Sequence, residues 1–127
     1  MARIVGLGID LVDMARIEKL CAKRDEFARH ICTEREWDYC SRFSDPAPSL
    51  AARFAAKEAV SKALGTGIGE HCSFNEVEVI SLESGAPTLE LSGSAAETAR
   101  QQGITSWSLS LTHSRLSAAA VVIALAD

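Results

Sequence analysis

The sequence predicts an α+β domain, a largely antiparallel sheet packed with helices, and three observations carry that expectation. Apolar runs rich in β-branched residues stand near both ends of the chain, at Ile4 to Val12 and Ser117 to Leu125. An alanine-rich stretch of helical composition occupies the middle. A hairpin pattern lies between that stretch and the second half of the sheet, so strands and helices do not alternate as βαβ units. The 127 residues make one domain, 1–127, on length. A chain of this size buries roughly two-thirds of the surface its unfolded form exposes, enough for a modest core without staples.

Taken in order, Ile4 to Val12 reads as a strand in which Gly6 and Gly8 leave room for close backbone approach. Asp13 is placed to cap a helix from Met14 to about Ala28. Thr33 and Glu36 have the spacing of a capping box, so a short helix starts near Glu34. The prolines of Ser44 to Pro48 make a loop. Ser49 then caps a third helix, Leu50 to Leu64, closed by Gly65. Gly65 to Gly69 is a turn with three glycines. Asn75 to Ser81 alternates as a strand and turns through Glu83 to Pro87 into Thr88 to Leu91. Ser94 and Glu97 form a second capping box, for a helix closed at Gly103. Trp107, Leu109 and Leu111 alternate with Ser108, Ser110 and Thr112 in a strand. Ser117 to Leu125 does not alternate and reads as a strand buried on both faces.

Composition narrows the function. A net charge of −4 argues against bulk binding to nucleic acid or to anionic membrane. The four cysteines, Cys21, Cys32, Cys40 and Cys72, have neither zinc nor redox spacing and read as thiols of a reducing compartment. The N-terminal run is too short and too acidic for a signal peptide, and Ala118 to Ala126 falls far below the ~20 residues of a membrane helix. The expectation is a cytoplasmic protein.

Five positions carry chemistry. Asp10 interrupts an apolar strand, and burying it without a partner would cost several kcal/mol. It is either exposed at the strand's end or a metal ligand with Gly8 clearing space beside it. On the third helix, Phe54, Glu58, Ser61 and Lys62 share one side, while Ala52, Ala56, Val60 and Ala63 share the side expected to face the core. The plainer reading of Glu58 and Lys62 is a solvated i, i+4 ion pair worth about 0.3–0.5 kcal/mol. His113 continues the Trp107, Leu109, Leu111 face, either as a core histidine or as a phosphate-binding or acid–base group. The first helix sets Arg16, Lys19 and Lys23 beside Leu20 and Phe27, a solvated face or a basic and apolar platform for an acidic helical partner. The Gly65 to Gly69 turn has neither a Walker nor a dinucleotide pattern.

Three segments together resemble one family. Gly6-Leu7-Gly8-Ile9-Asp10-Leu11-Val12 resembles the N-terminal strand of holo-acyl-carrier-protein synthases. Arg53-Phe54-Ala55-Ala56-Lys57-Glu58-Ala59-Val60-Ser61-Lys62-Ala63-Leu64-Gly65-Thr66-Gly67-Ile68-Gly69 resembles their long central signature. Ser110-Leu111-Thr112-His113-Ser114, followed by an alanine-rich strand, is similar to their C-terminal segment. The resemblance implies the 4′-phosphopantetheinyl transferase fold and transfer of 4′-phosphopantetheine from coenzyme A to a serine of apo-acyl carrier protein. Adenosine 3′,5′-bisphosphate is released, Mg²⁺ is required, and the setting is fatty acid biosynthesis. It implies Asp10 and Glu58 as Mg²⁺ ligands, Lys62 at the pyrophosphate, and Arg53, Thr112 and His113 along the coenzyme A site. Asp10, Glu58 and Lys62 are then the catalytic residues, with Glu58 accepting the serine proton directly or through a water on the metal. It further implies Arg16 as a carrier contact and a homotrimer with active sites between subunits. A nucleotide-binding module without turnover has no use for two carboxylates near a pyrophosphate, because they would repel it without a metal.

Overall fold

The computed structural model describes residues 1–23 and 29–127. In chain order these form β1 (Arg3–Asp13), α1 (Met14–Lys23), α2 (Glu34–Cys40), α3 (Ala47–Leu64), a 3₁₀ turn (Phe74–Glu76), β2 (Val77–Ser81), β3 (Pro87–Leu91), α4 (Gly93–Gln101), β4 (Ser106–His113) and β5 (Ser117–Ala126). The expected extension of the first helix to Ala28, with Phe27 in it, lies outside the described residues, as does the side chain of Lys23. Asp13 is the last residue of β1 and immediately precedes α1, which starts at Met14 as expected.

The expected single sheet is two. β1, β5 and β4 pair antiparallel in the order β1-β5-β4, and β2 and β3 form a separate antiparallel hairpin. Across the larger sheet Asp10 stands opposite Ala120, and Ala120 opposite Leu111. One face of this sheet packs on α3, which also touches α1 and β2. α3 is therefore the central element, and the expected division of its circumference does not hold. Ala52, Ala56, Val60 and Ala63 are buried, but so are Phe54 and Ser61; of the four residues on the other side only Lys62 is exposed and Glu58 half-buried. A helix enclosed on nearly all sides is apolar nearly all round, and alanine lets its neighbours come close.

Local signals set several ends as expected. Thr33 and Glu36 form the capping box of α2, the Thr33 hydroxyl accepting from Glu36 N and the Glu36 carboxylate from Thr33 N. Gly65 ends α3 in the left-handed region, with φ of 80°. α3, however, starts three residues before Leu50: Pro46 is its N-cap residue, Pro48 sits in its first turn where a missing N–H is harmless, and the Asp45 carboxylate accepts from Ala47 N at 3.2 Å. Ser49 is thus inside the helix. Asn75 belongs to the 3₁₀ turn rather than to β2.

The Ser94–Glu97 capping box does not form. α4 begins at Gly93, and Glu97 bonds Arg100 and Gln101 instead. The helix start is held by a carboxylate from elsewhere: Glu76 accepts from Ser94 N at 2.5 Å, from Ser94 Oγ at 2.6 Å and from Ser73 N at 3.0 Å. Partial burial opposes ionisation of Glu76, but these hydrogen bonds outweigh it and hold its carboxyl down, from 4.5 to about 2. Because the folded value is depressed, the stabilisation is present above about pH 4.5 and is lost as pH falls toward 2. Glu76→Gln is therefore expected to lower the melting temperature at neutral pH. The gap from wild type should close as the melts are repeated down to pH 2, and a gap constant across that range would refute the anchoring role.

β5 alternates, against expectation. Ala118, Ala120, Val122, Ala124 and Ala126 are buried under α3, whereas Ala119, Val121, Ile123 and Leu125 are half-buried on the outer face. No layer of this chain covers that face among the described residues. Beside it on β1, Ile4, Leu7, Ile9 and Leu11 are 62–69% exposed, so the outer side of β1 and β5 is a continuous apolar surface, bordered on β4 by exposed Ser108, Ser110 and Thr112. No helix among the described residues is long and apolar enough to cross a membrane, and no disulfide joins any of the four cysteines.

Candidate active site

The site begins with two glycines. A Cβ on Gly6 would lie 2.3 Å from the Ala63 carbonyl oxygen, and one on Gly8 would lie 1.8 Å from that of Ala59. Glycine at both positions lets β1 run directly against the backbone of α3. Strand parity puts Asp10 on the same face as Gly6 and Gly8, so its carboxylate meets the same helix one step further on. Lys62 Nζ donates to Asp10 Oδ1 at 3.0 Å and to the Ile9 carbonyl at 3.1 Å.

Glu58 lies one turn before Lys62. Burial raises its carboxyl above the usual range, the charge of Asp10 adds to the rise, and Lys62 and Arg16 oppose it. Two acidic groups far apart in the chain therefore meet at one place, with two cations beside them. Asp10 is enclosed at the helix rather than exposed at a strand end, its side chain 14% exposed. The Glu58–Lys62 surface pair is replaced by one between Lys62 and Asp10, 52 residues apart. That pair is half in solvent and contributes about 1 kcal/mol at most, so its interest is chemical rather than structural.

Arg16 is nearer this cluster than its place on α1 suggests. Its guanidinium stands 5.4 Å from the centre of the Phe54 ring, and Phe54 stacks on Phe74 at 5.5 Å and 27°. Lys19 is exposed and Leu20 half-buried on the same helix.

Arg53 occupies another side of α3. It is five residues from Glu58, about 140° around a helix. It is buried to 4% exposure, and its guanidinium lies 4.6 Å over the Tyr39 ring. Among the described residues it makes only long bonds, to the Ser49 carbonyl at 3.4 Å and Ser81 Oγ at 3.5 Å, and its Nε has no partner there. It lines an open cleft of about 320 Å³ with Tyr39, Ser81, Pro87, Leu111 and His113. His113 is thus neither core nor turn; it is exposed at the end of β4, facing this cleft. Thr112 is exposed on the opposite face of β4, away from Arg53 and His113. Within one chain, then, Asp10, Glu58 and Lys62 come together, Arg53 and His113 come together elsewhere, and Thr112 joins neither group.

The donor set fits Mg²⁺. No group of three or more histidine, cysteine, aspartate or glutamate side chains converges among the described residues. Mg²⁺ typically takes only one or two carboxylates and completes its octahedron with phosphate oxygens and water, which is what Asp10 and Glu58 offer. One polar network had no signal in the sequence. Lys57, beside Glu58, is wholly buried and pairs with Glu36, 21 residues away with no spacing rule connecting them.

The family model described as the 4′-phosphopantetheinyl transferase superfamily matches residues 6–126. The holo-[acyl-carrier-protein] synthase of Hydrogenovibrio crunogenus is 44% identical over 122 residues, covering 95% of this chain and 96% of that protein. Among solved structures, the holo-[acyl-carrier-protein] synthase from Neisseria meningitidis superposes with a TM-score of 0.89 at 35% identity, covering 96% of this chain and 98% of its own. That from Bacillus anthracis, in complex with CoA (3′,5′-ADP), superposes with a TM-score of 0.83 at 37% identity, covering 98% of each. With the fold, the strand-on-helix approach at Gly8 and matches along nearly the whole length in agreement, the chain belongs to the 4′-phosphopantetheinyl transferase superfamily, in its holo-[acyl-carrier-protein] synthase family.

Proposed function

We propose that this chain is a Mg²⁺-dependent holo-[acyl-carrier-protein] synthase, which moves 4′-phosphopantetheine from coenzyme A to a serine of apo-acyl carrier protein in fatty acid biosynthesis. The observation that carries the reading is the convergence of Asp10 and Glu58 with Lys62 beside them. Asp10 and Glu58 would hold Mg²⁺, which when bound neutralises and polarises the diphosphate of coenzyme A.

The chain's own groups do the rest. The serine oxygen forms a bond to the phosphorus nearer the pantetheine, and the bond from that phosphorus to the bridging oxygen breaks. Adenosine 3′,5′-bisphosphate leaves with the electron pair. Lys62 offsets the charge that develops on the leaving group. Glu58 takes the serine proton, directly or through a water.

Arg53 and His113 are read as coenzyme A contacts, Arg53 because a buried guanidinium with an unpartnered Nε suits an anionic group. Thr112, on the opposite face of β4, is assigned to the same substrate across a subunit boundary. The separation of these residues from Asp10 and Glu58 within one chain supports a homotrimer whose sites combine residues of two copies. The exposed Ile4, Leu7, Ile9 and Leu11 beside half-buried Val121 and Ile123 supply a face such an assembly would cover. A monomer by sedimentation equilibrium at working concentration would remove that assignment. A cytoplasmic location is supported by buried Cys32, Cys40 and Cys72 without disulfides.

The test of the function is incubation of the protein with apo-acyl carrier protein, coenzyme A and Mg²⁺, read by intact mass of the carrier. A gain of one phosphopantetheine is expected, and no gain would overturn the reading. Arg16 is assigned to the acidic carrier. Arg16→Glu should therefore raise the KM for carrier by about tenfold or more, the scale of one lost interface arginine, and leave the KM for coenzyme A within about twofold. An unchanged carrier KM would contradict this.

A further inference from the structure

Lys57 sends its ammonium group into the core. Its side chain and that of Glu36 are both wholly buried. Lys57 Nζ donates to Glu36 Oε1 at 2.6 Å and to the Phe74 carbonyl at 2.7 Å. The same carboxylate accepts from Thr33 N at 2.9 Å and from Val79 N at 2.8 Å. The start of α2, the body of α3, the 3₁₀ turn and β2 thus meet on one ion pair.

A buried pair of this kind is weak evidence for stability, because well-packed apolar replacements are often at least as stable. Its hydrogen bonds instead fix directions. The group most directly fixed is Phe74, whose carbonyl is held by Lys57 while its ring stacks on Phe54. Phe54 in turn carries the Arg16 guanidinium over its ring, one helical turn from Glu58. Lys57 itself points into the core and touches none of the residues assigned to substrate.

We propose that Lys57 and Glu36 are positioning residues. By holding the Phe74 carbonyl they set the Phe54–Phe74 stack, and the stack sets where Arg16 stands at the edge of the site. The inference rests on the assignment of Arg16 to the carrier made above.

The test is a double variant, Lys57→Met with Glu36→Gln, which removes both buried charges but keeps an acceptor for Val79 N. A second variant, Phe74→Leu, leaves the ion pair in place and removes the stack. Two quantities are read in the full-length protein with Mg²⁺: the ring-current shift of the Arg16 side chain by NMR, and the KM values for carrier and for coenzyme A separately. Both variants are expected to lose the Arg16 shift. Both should also raise the carrier KM by about tenfold, the effect of a displaced interface arginine, with the coenzyme A KM unchanged. A wild-type Arg16 shift in both variants overturns the proposal. So does a parallel rise of both KM values, which is what general loosening produces. Should the double variant not fold, Lys57→Met alone, which releases the Phe74 carbonyl, decides by the same two readings. Loss of the Arg16 shift with an unchanged carrier KM upholds the positioning and removes the carrier role of Arg16 instead.

Discussion

Asp10→Asn and Glu58→Gln are each expected to lower turnover by about three orders of magnitude while leaving the fold intact. The size follows from what each carboxylate is asked to do. Phosphoryl transfer offers the protein little covalent work, so most of its rate comes from position and from charge held against the diphosphate. Losing a single preorganised electrostatic contact costs about 10²–10³ in kcat, and each of these substitutions also takes away half of the protein's donor set for the metal. Folding should survive for separate reasons. Asparagine keeps an oxygen for Lys62 Nζ, whose bond to Asp10 is half in solvent. Glu58 is only half-buried, and its carboxylate lies beside another negative charge, so an amide relieves repulsion there. Circular dichroism melts should match wild type, and intact-mass assays of carrier loading should show the loss. Full turnover in either variant would defeat the metal assignment.

Gly8→Ala is expected to do the reverse and damage the fold first. Its new Cβ would sit 1.8 Å from the Ala59 carbonyl oxygen, and the obstacle is helix backbone rather than the end of a flexible side chain. Either β1 lifts from α3 or α3 shifts under the sheet, and α3 is enclosed by β1, β5, β4, α1 and β2. Overpacking in a dense core typically costs about 1–3 kcal/mol, and a contact this short against fixed backbone should reach or exceed the upper end. Lifting β1 would also carry Asp10 away from Glu58 and Lys62, so any folded remainder should be poorly active. Urea unfolding measures the first effect and carrier loading the second. Wild-type stability in Gly8→Ala would mean that the close approach of strand and helix is not what positions Asp10.

What could be read from the chain was what depends on near neighbours. The Thr33–Glu36 box and the Gly65 helix end are settled within three or four residues, and both formed. Asp10 stood out because an aspartate in a run of Ile, Leu and Val demands compensation, and the compensation exists. The Ser94–Glu97 box had the same local logic and failed, because Glu76 reaches the Ser94 N–H and hydroxyl from 18 residues away. Lys62 had a partner at i−4 and took one 52 residues distant instead. In each failure the residue took a partner that packing brought from a distant segment.

The sequence by itself determined the elements, the family resemblance and the residue types at the site, since strand alternation, helix ends and glycine clearance are properties of short stretches. Only the tertiary structure decided which of those residues meet. Asp10 reaches Glu58 and Lys62 because two glycines let a strand lie on helix backbone. Arg53 faces a different cleft because it lies on another side of α3, and His113 meets it there from the end of β4. The apolar outer face of β5 stays uncovered because this chain lays no second layer on it among the described residues. The reason is common to all three: contacts between distant segments are set by how elements pack, and packing is a property of the whole core rather than of any stretch within it.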